Sequence, residues 1–425
     1  MDLYSEFEWR GLVYDATDGL KERFDQPDMI AYAGFDPTAS SLHVGSLLPI
    51  MALARLERAG HRPIAVVGGG TGLIGDPSGK TTERQLLTAE QVEANVHDIR
   101  SQLARFLDLD SKNTRSKLVN NLEWLGGLGA LELMRDTGKH FTVNYMLAKD
   151  SIKRRVESKD GISYTEFSYL LLQAYDFLQL YNRYGCTVQM GGSDQWGNIT
   201  AGIELIRKAT PAGSSRAYGL VVPLVLTAAG SKFGKTEEGT VWLDPKLTRP
   251  YEFYQFWLNT DDRDAVRYLK FFTFLSQETI ADFEVVTARE PEGRHAQRAL
   301  AQQVTELVHG ADAVREAEAA ARVLFSGDVS GLSVDQLLRV FPSVPSSAMP
   351  FVETGWPITE LLVSSRVTAS KGEATRLIRN GGIYVNGRRV TDEKLCLRPD
   401  DAVEGQLFVV RKGKRDNFLV RIIDA

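Results

Sequence analysis

A chain of 425 residues with 43% hydrophobic and 25% charged side chains has the length for about two to four domains and the make-up of a soluble globular protein. Its apolar runs stop short of the ~18 uncharged residues of a membrane span, and Met1-Asp2-Leu3-Tyr4-Ser5-Glu6 has no basic segment leading into an apolar one, so neither a membrane protein nor a secretory leader is expected. The net charge of −5 disfavours uniform coating of nucleic acid, but residues 353–425 hold 13 Lys/Arg and 10 Asp/Glu, a local +3 against −8 for the rest. That distribution suits a local polyanion contact, with ordinary scatter of surface charge an equal alternative on charge alone.

In chain order, Ile30-Ala31-Tyr32-Ala33-Gly34-Phe35 reads as a short strand, followed by the loop Asp36-Pro37-Thr38-Ala39-Ser40-Ser41. A helix pattern starts near His43, runs through Leu47, Leu48, Ile50, Met51, Leu53 and Leu56, and stops at Gly60. Pro63-Ile64-Ala65-Val66-Val67 is continuous and apolar, as in a buried parallel strand. Thr88 with Gln91 predicts a capping box, and Val92, Val96, Ile99, Leu103 and Phe106 form one apolar stripe. Tyr164 to Leu180 is apolar nearly all round, which predicts a buried helix, and Thr187-Val188-Gln189-Met190 is another strand running into Gly191-Gly192. Strand, loop, helix, repeated, is the grammar of an α/β nucleotide-binding domain. From Pro250 strand signals vanish and aromatic-rich helix patterns continue to about Leu324; Ser326 to Pro350 has the Ser, Pro and Gly content of a linker; Ile358 to Asp424 is a compact α-then-β unit. Cys186 and Cys396 lie far apart without metal spacing, which fits a reduced cytoplasmic compartment and no structural metal.

Gly70-Thr71-Gly72-Leu73-Ile74-Gly75 matches a dinucleotide fingerprint, yet Asp76-Pro77-Ser78-Gly79 prolongs the loop where a helix should open. Gly75 to Thr81 resembles a P-loop but has three residues between its glycines where the phosphate cradle needs four. A glycine-rich loop at the end of a strand remains, the usual ligand position of such sheets. Asp76 there is a helix cap or a partner for a ligand ammonium group, the cap being the commoner role. His43-Val44-Gly45-Ser46 falls on the first turn of a helix, where free N–H groups and the helix dipole attract phosphate; Gly45 would leave room for an adenine ring. The bland alternative for His43 is an ordinary polar residue at a helix start. Lys232-Phe233-Gly234-Lys235-Thr236 follows a flexible Thr227–Ser231 stretch and forms a cationic loop suited to a triphosphate, or else a solvated basic turn.

The order of these segments, with Gln189-Met190-Gly191-Gly192-Ser193-Asp194-Gln195-Trp196-Gly197-Asn198 between the last two, resembles the class I aminoacyl-tRNA synthetases, and within them the bacterial tyrosyl-tRNA synthetase family. Tyr32 to Thr38, Gly72 to Ser78 and Tyr164 to Tyr169 with Gln173 and Asp176 carry the same resemblance, which spans nearly the whole chain. It implies a Rossmann-like parallel-sheet catalytic domain (1–222), a linker with the lysine loop (223–247), a helical anticodon-side domain (248–325), a second linker (326–352) and a small α+β S4-like RNA-binding domain (353–425). It also implies a tyrosine pocket. Tyr32 and Asp176 would bond the substrate hydroxyl, and Asp76, Tyr169 and Gln173 its ammonium group. The spacing agrees, since Tyr169, Gln173 and Asp176 share one helix face. Gly34, Asp36, Gly45, Gly191, Asp194 and Gln195 would line the ATP side; Thr38, His43 and Ser46 would face the phosphates; Lys80, Arg84, Lys232, Lys235 and Thr236 would lie near pyrophosphate. Ser46 departs from the His or Asn that commonly ends the first signature: it is shorter and carries no charge.

The resemblance implies activation of L-tyrosine by ATP, with Mg²⁺ entering on the nucleotide, and transfer to tRNA(Tyr) by a homodimer. Ser370 to Gly382 and Tyr384 to Arg389 carry the S4-like likeness, with Lys371, Arg376 and Arg379 on one helix and Arg388 and Arg389 beyond a predicted Asn386-Gly387 hairpin turn. Arg207 and Lys208, with Lys153, Arg154 and Arg155, are candidates for the acceptor arm. Rival readings are a tryptophanyl-tRNA synthetase, an RNA-binding scaffold without catalysis, and an unrelated nucleotidyltransferase; Asp176, the KFGKT loop and the S4-like tail disfavour them.

Overall fold

Six strands organise the first part of the chain: β1 (Asp15–Ala16), β2 (Ile30–Phe35), β3 (Arg62–Val67), β4 (Lys117–Asn120), β5 (Val188–Gly192) and β6 (Tyr218–Val222). They lie in the order β1-β6-β5-β2-β3-β4, with β2 to β6 parallel and β1 antiparallel on the β6 edge. The structure, a computed structural model, describes residues 2–423 except 79–85, 110–114, 160, 212, 214–215, 229, 231–232, 237–238, 327–328, 330, 342–343 and 414–415, and omits the side chains of 235–236, 324–326 and 339–340. By packing the chain divides into two units, residues 1–249 with 255–308, and residues 250–254 with 309–425.

In the first unit, β2 and β3 are apolar because nearly every residue of both is buried. Helix α1 (Leu47–Arg58) joins them; it ends as expected, with Gly60 at φ 86° accepting the left-handed turn that a side chain would resist. Helix α2 (Ala89–Leu103) begins with the Thr88–Gln91 capping box. Helix α3 (Tyr164–Tyr184) precedes β5, and α4 (Trp196–Ala209) joins β5 to β6. Helix α3 is buried as its apolar pattern predicts: of residues 164–180 only Tyr164 is exposed, and Glu166, Tyr169, Leu170, Ala174, Asp176, Phe177 and Leu180 form its most buried stripe. Arg155 and Glu166 are both interior and form a two-pronged pair at 3.0 and 2.9 Å. Short strands β7 (Lys235–Thr236) and β8 (Gly239–Thr240) pair antiparallel.

From Pro250 the chain is helical, as expected: α5 (Pro250–Leu258), α6 (Asp262–Phe272), α7 (Gln277–Arg289), α8 (His295–His309) and α9 (Ala311–Ser326). Within the first unit, two buried guanidinium groups close the C-terminal end of α6. Arg55 donates 2.6 Å to the carbonyl of Thr273 and 3.2 Å to that of Phe271; Arg10 donates 3.0 Å to Lys270 and 2.8 Å to Leu275. Cations are favoured at that end because the last carbonyls of a helix have no partner within it.

In the second unit, strands β9 (Ser346–Pro350), β10 (Ile383–Val385), β11 (Arg388–Arg389), β12 (Leu407–Lys412) and β13 (Asp416–Ile423) form one sheet in the order β11-β10-β12-β13-β9, with only β13 and β9 parallel. Helices α11 (Ile358–Ser364) and α12 (Lys371–Arg379) contribute Leu361, Leu362, Ala374 and Ile378 to a core with Phe408, Val410 and Val420. Residues 326–350, expected as a linker, instead hold α10 (Val334–Val340), opened by a Ser333–Gln336 capping box, and β9. Leu337 and Phe341 pack on Leu407, Val409 and Leu419, the side of β12 and β13 that alternation turns away from Phe408 and Val420. The Asn386-Gly387 turn has φ of 47° and 79°, the two positive values of a type I′ hairpin.

Replacing Glu166 with alanine removes the carboxylate that balances the interior Arg155 charge, so it is expected to cost about 3–5 kcal/mol. Urea unfolding would read this as a lower midpoint at unchanged slope.

Candidate active site

Strand β2 lies between β3, which follows it, and β5, which comes more than a hundred residues later. The chain leaves β2 toward one side of the sheet and returns on the other. At such a switch point the loops beyond the strand ends diverge and leave a crevice. Tyr32 and Gly34 reach it from β2, Gly191 from β5, and Tyr169, Gln173 and Asp176 from α3. A side chain at Gly34 would meet no atom within 4 Å, so that face of β2 is open.

A connected set of polar side chains forms the floor. Tyr169 donates its hydroxyl 3.0 Å to Oδ2 of Asp36, whose Oδ1 accepts from the Thr71 hydroxyl at 2.8 Å. Thr71 accepts from Nδ2 of Asn121 at 2.9 Å, and the same amide donates 2.8 Å to Asp176. The other oxygen of Asp176 accepts from the Trp124 indole at 2.6 Å. Asn121 also takes the backbone N–H of Gly70 at 2.7 Å. The glycine-rich loop is explained by these neighbours. Side chains at Gly68, Gly69 and Gly70 would collide with Asp36 and Thr71, with Asn120, and with Leu125. Asn121, Trp124 and Thr71 were missed from sequence; the available signal was an Asn-Asn pair at the carboxyl end of β4, a strand too short and mixed to stand out.

A second set surrounds Asp76. Its Oδ2 accepts from Gln195 at 2.7 Å and its Oδ1 from the Ser78 N–H at 2.9 Å, a local turn. The helix-cap role favoured for Asp76 is therefore corrected, since the next helix of the described chain, α2, is capped by Thr88. Gln195 accepts from Gln173 at 3.3 Å and from Asn198 at 3.1 Å, and Asn198 donates 2.9 Å to Gln173. Asp194 folds back over Gly192, where an added Cβ would lie 2.8 Å from its carboxylate.

The first signature starts with a 3₁₀ turn, Val44–Ser46, ahead of α1. Nδ1 of His43 accepts from the Gly45 N–H at 3.0 Å, which leaves the ring proton of neutral His43 on Nε2. A side chain at Gly45 would lie 2.7 Å from the His43 ring. Ser46 makes no capping bond for α1, and Thr38 is exposed. Asn95 and Gln102 of α2 hold the loop before His43, bonding the Pro37 carbonyl at 2.9 Å and the Leu42 N–H at 2.9 Å. The second signature meets the first through backbone. Val44 donates 3.0 Å to the Val241 carbonyl, Val241 donates 3.0 Å to Gly234, and a Cβ at Gly234 would strike Val44. The stretch expected to be flexible is tied at Ala228, whose N–H donates 2.7 Å to Asp264. Lys80, Arg84 and Lys232 lie outside the described residues, as do the side chains of Lys235 and Thr236.

Electrostatics are dominated by burial. Burial pushes the Asp176 carboxyl up to about 7, against the hydrogen bonds from Asn121 and Trp124 that pull it down. Burial also raises the Tyr32 phenol well above its usual range, with the Asp176 charge adding to it; Tyr169 is raised in the same way, with Asp36 as the neighbouring charge. The Tyr32 hydroxyl is interior and has no hydrogen-bond partner among the described residues, an expensive arrangement that a ligand hydroxyl would relieve.

Of the polyanion candidates, Arg207 and Lys208 both pair with Glu204, at 2.7 and 3.1 Å. Arg155 is interior and committed to Glu166. Lys371 pairs with Glu360 at 2.6 Å and Arg379 with Glu393 at 2.9 Å, while Arg376 and Arg388 are exposed and make no ion pair among the described residues.

Residues 25–326 match the model of the class I tRNA synthetases for tryptophan and tyrosine, and residues 336–420 match that of the SYY-like tyrosine–tRNA ligase C-terminal domain. A tyrosine–tRNA ligase of Roseiflexus castenholzii is 52% identical over 424 residues, 99% of each chain, and that of Geobacillus stearothermophilus is 53% identical over 425 residues, 99% of this chain and all of the relative. A C-terminally truncated mitochondrial tyrosyl-tRNA synthetase of Aspergillus nidulans superposes with a TM-score of 0.68 at 33% identity, over 76% of this chain and 94% of that one. The tryptophanyl-tRNA synthetase of Encephalitozoon cuniculi reaches a TM-score of 0.53 at 14% identity, over 79% and 90%, and shares the fold alone. The sheet, its switch point and these matches define a class I aminoacyl-tRNA synthetase. Within that class the chain belongs to the bacterial tyrosyl-tRNA synthetase family.

Between about pH 4 and about pH 7 the folded protein keeps a proton on Asp176 that the unfolded chain has lost, so stability falls as pH rises through that window. Asp176→Asn has no such charge. Its melting temperature relative to the unsubstituted protein is therefore expected to shift upward between about pH 5 and about pH 8; parallel profiles would mean that Asp176 titrates normally.

Proposed function

We propose that the chain activates L-tyrosine with ATP, giving tyrosyl-adenylate and pyrophosphate, and then passes tyrosine to the terminal ribose of tRNA(Tyr). The observation that carries the amino-acid assignment is the buried, unpartnered Tyr32 hydroxyl beside the buried Asp176 carboxyl. A phenol placed between them would accept from Tyr32 and donate to Asp176. Phenylalanine would leave the Tyr32 hydroxyl unpaired and bring no donor to Asp176, and a site built to bond a hydroxyl rejects the analogue that lacks it, a rule for which the tyrosine enzymes are themselves the standard example. Asp76, Tyr169 and Gln173 would take the ammonium group, the first two supplying a carboxylate and an acceptor oxygen.

No protein nucleophile is required. The substrate carboxylate attacks the α-phosphorus and pyrophosphate leaves, so the enzyme contributes alignment and charge stabilisation. Gly34, Asp36, Gly191, Asp194 and Gln195 would line the nucleotide, with the open face at Gly34 giving it room. His43, through Nε2–H, would donate to a phosphate oxygen, and Thr38, Ser46, Lys80, Arg84, Lys232, Lys235 and Thr236 would complete the phosphate side. Mg²⁺ would enter with ATP, held largely by phosphates and water.

The second unit would grip tRNA through Arg376 and Arg388, which make no ion pair among the described residues; Arg389 is instead turned onto the Gly381 carbonyl. Two copies of the chain would pair through the exposed apolar residues Leu131, Met134, Val143, Val156 and Tyr164, which concentrate in one stretch of the first unit. A cytoplasmic location goes with this activity; among the described residues no helix is long and apolar enough to cross a membrane.

ATP–pyrophosphate exchange tests the assignment. Exchange should depend on tyrosine, with tryptophan nearly inactive, and Tyr32→Phe should erode preference for tyrosine over phenylalanine roughly ten-fold. Replacing both Arg376 and Arg388 with alanine should weaken tRNA charging and leave exchange intact. Absence of exchange with any amino acid would sink the catalytic reading.

A further inference from the structure

Helix α6 is held at both ends by parts of the chain that lead into the two signatures. At its C-terminal end Arg55 grips the last carbonyls, and Arg55 belongs to α1, whose first turn follows His43 to Ser46. From its first turn and its middle, three side chains hold the approach to the second signature. Asp264, 3% exposed, accepts from the Ala228 N–H at 2.7 Å and from Arg267 at 2.6 Å. Arg267 and Tyr268 both donate to the Leu226 carbonyl, at 2.6 and 3.3 Å. Asp264 has no capping duty to explain it, because Asp261 is the N-cap and bonds the Arg263 N–H at 3.0 Å.

Phe233, inside the second signature, is the other fixed point. Its ring sits in a cage of Phe256, Trp257, Tyr268 and Phe272, stacked on Phe272 at 5.4 Å and 10°. The next residue, Gly234, lies against Val44, one position from His43. Ala228 and Phe233 therefore bracket the start of the lysine signature, and both are fastened to the helix that Arg55 ties to α1.

We infer that α6 acts as a splint between the two signatures, and that Asp264 is a positioning residue for tyrosine activation through the Ala228 N–H. A buried carboxylate that accepts a backbone N–H makes a short, strong bond and tolerates burial only with its partners in place. Losing it frees the backbone on one side of the second signature. It leaves the Tyr32–Asp176 pocket untouched. The effect belongs in the rate of adenylate formation, where small misplacements of charge are costly, and not in tyrosine binding.

The inference rests on the proposed activity, and the two fail separately: an unsubstituted protein without tyrosine-dependent exchange removes the activity itself, whereas the variants are read against an active parent. Asp264→Ala is expected to lower kcat for exchange about 10- to 100-fold with KM for tyrosine unchanged. Asp264→Asn keeps an oxygen for the Ala228 N–H and should fall between the two. If Asp264→Ala does not fold, Phe233→Leu, which half-empties the aromatic cage, decides by the same split of kcat from KM. An unchanged kcat in a folded variant, a matching loss in tyrosine affinity, or Asn as damaging as Ala would overturn the inference.

Discussion

The hydrogen bond from Asn121 to Asp176 joins parts of the site that lie far apart in the chain. Asn121 follows β4 and Asp176 sits on α3, and the same Asn121 side chain fixes the Gly70 N–H and the Thr71 hydroxyl. Thr71 in turn orients Asp36, and Asp36 orients Tyr169. One amide therefore sets the relative positions of the glycine loop, α3 and the carboxylate beyond β2. In a low-dielectric interior such a chain is rigid when every member is satisfied and costly when one is not. Tyr32 is the member left unsatisfied.

That imbalance is where structure turns into function. A core selected for stability alone would not keep an orphaned phenol beside a carboxyl that burial drives toward neutrality. Sites that bind and react commonly give up stability to keep such groups ready. The side proposed to face the phosphates works differently. Its polar groups are presented by backbone geometry: His43 is turned by the Gly45 N–H, and the two signatures are laced together through Val44, Val241 and Gly234. Dipoles and charges fixed before the substrate arrives need no reorganisation as charge develops on the leaving group.

Much of this was legible in the sequence where one residue type has one physical use. The β2 strand, the stop at Gly60, the Thr88 cap and the Asn386-Gly387 turn follow from local rules and match the structure. Rejecting the dinucleotide fingerprint agrees with the packing of Gly70 on Leu125 and of Gly72 on Pro37. What was not legible depends on distant partners. Asn121 and Trp124 gain meaning only when β4 comes beside β3 and α3 lies across their ends. Arg155 looks like a surface cation until Glu166, eleven residues on, is seen to share its interior site. Residues 326–350 have a linker's composition, yet Leu337 and Met349 are buried in the second unit by strands that lie much later in the chain.

The central claim is that the space between Tyr32 and Asp176 reads a phenolic hydroxyl. Equilibrium dialysis of labelled tyrosine against the intact protein without ATP, with unlabelled phenylalanine as competitor, tests it most directly. The account predicts saturable tyrosine binding that phenylalanine in about a hundred-fold excess fails to displace, because it would leave the buried Tyr32 hydroxyl unpaired. Equal displacement by phenylalanine would contradict it.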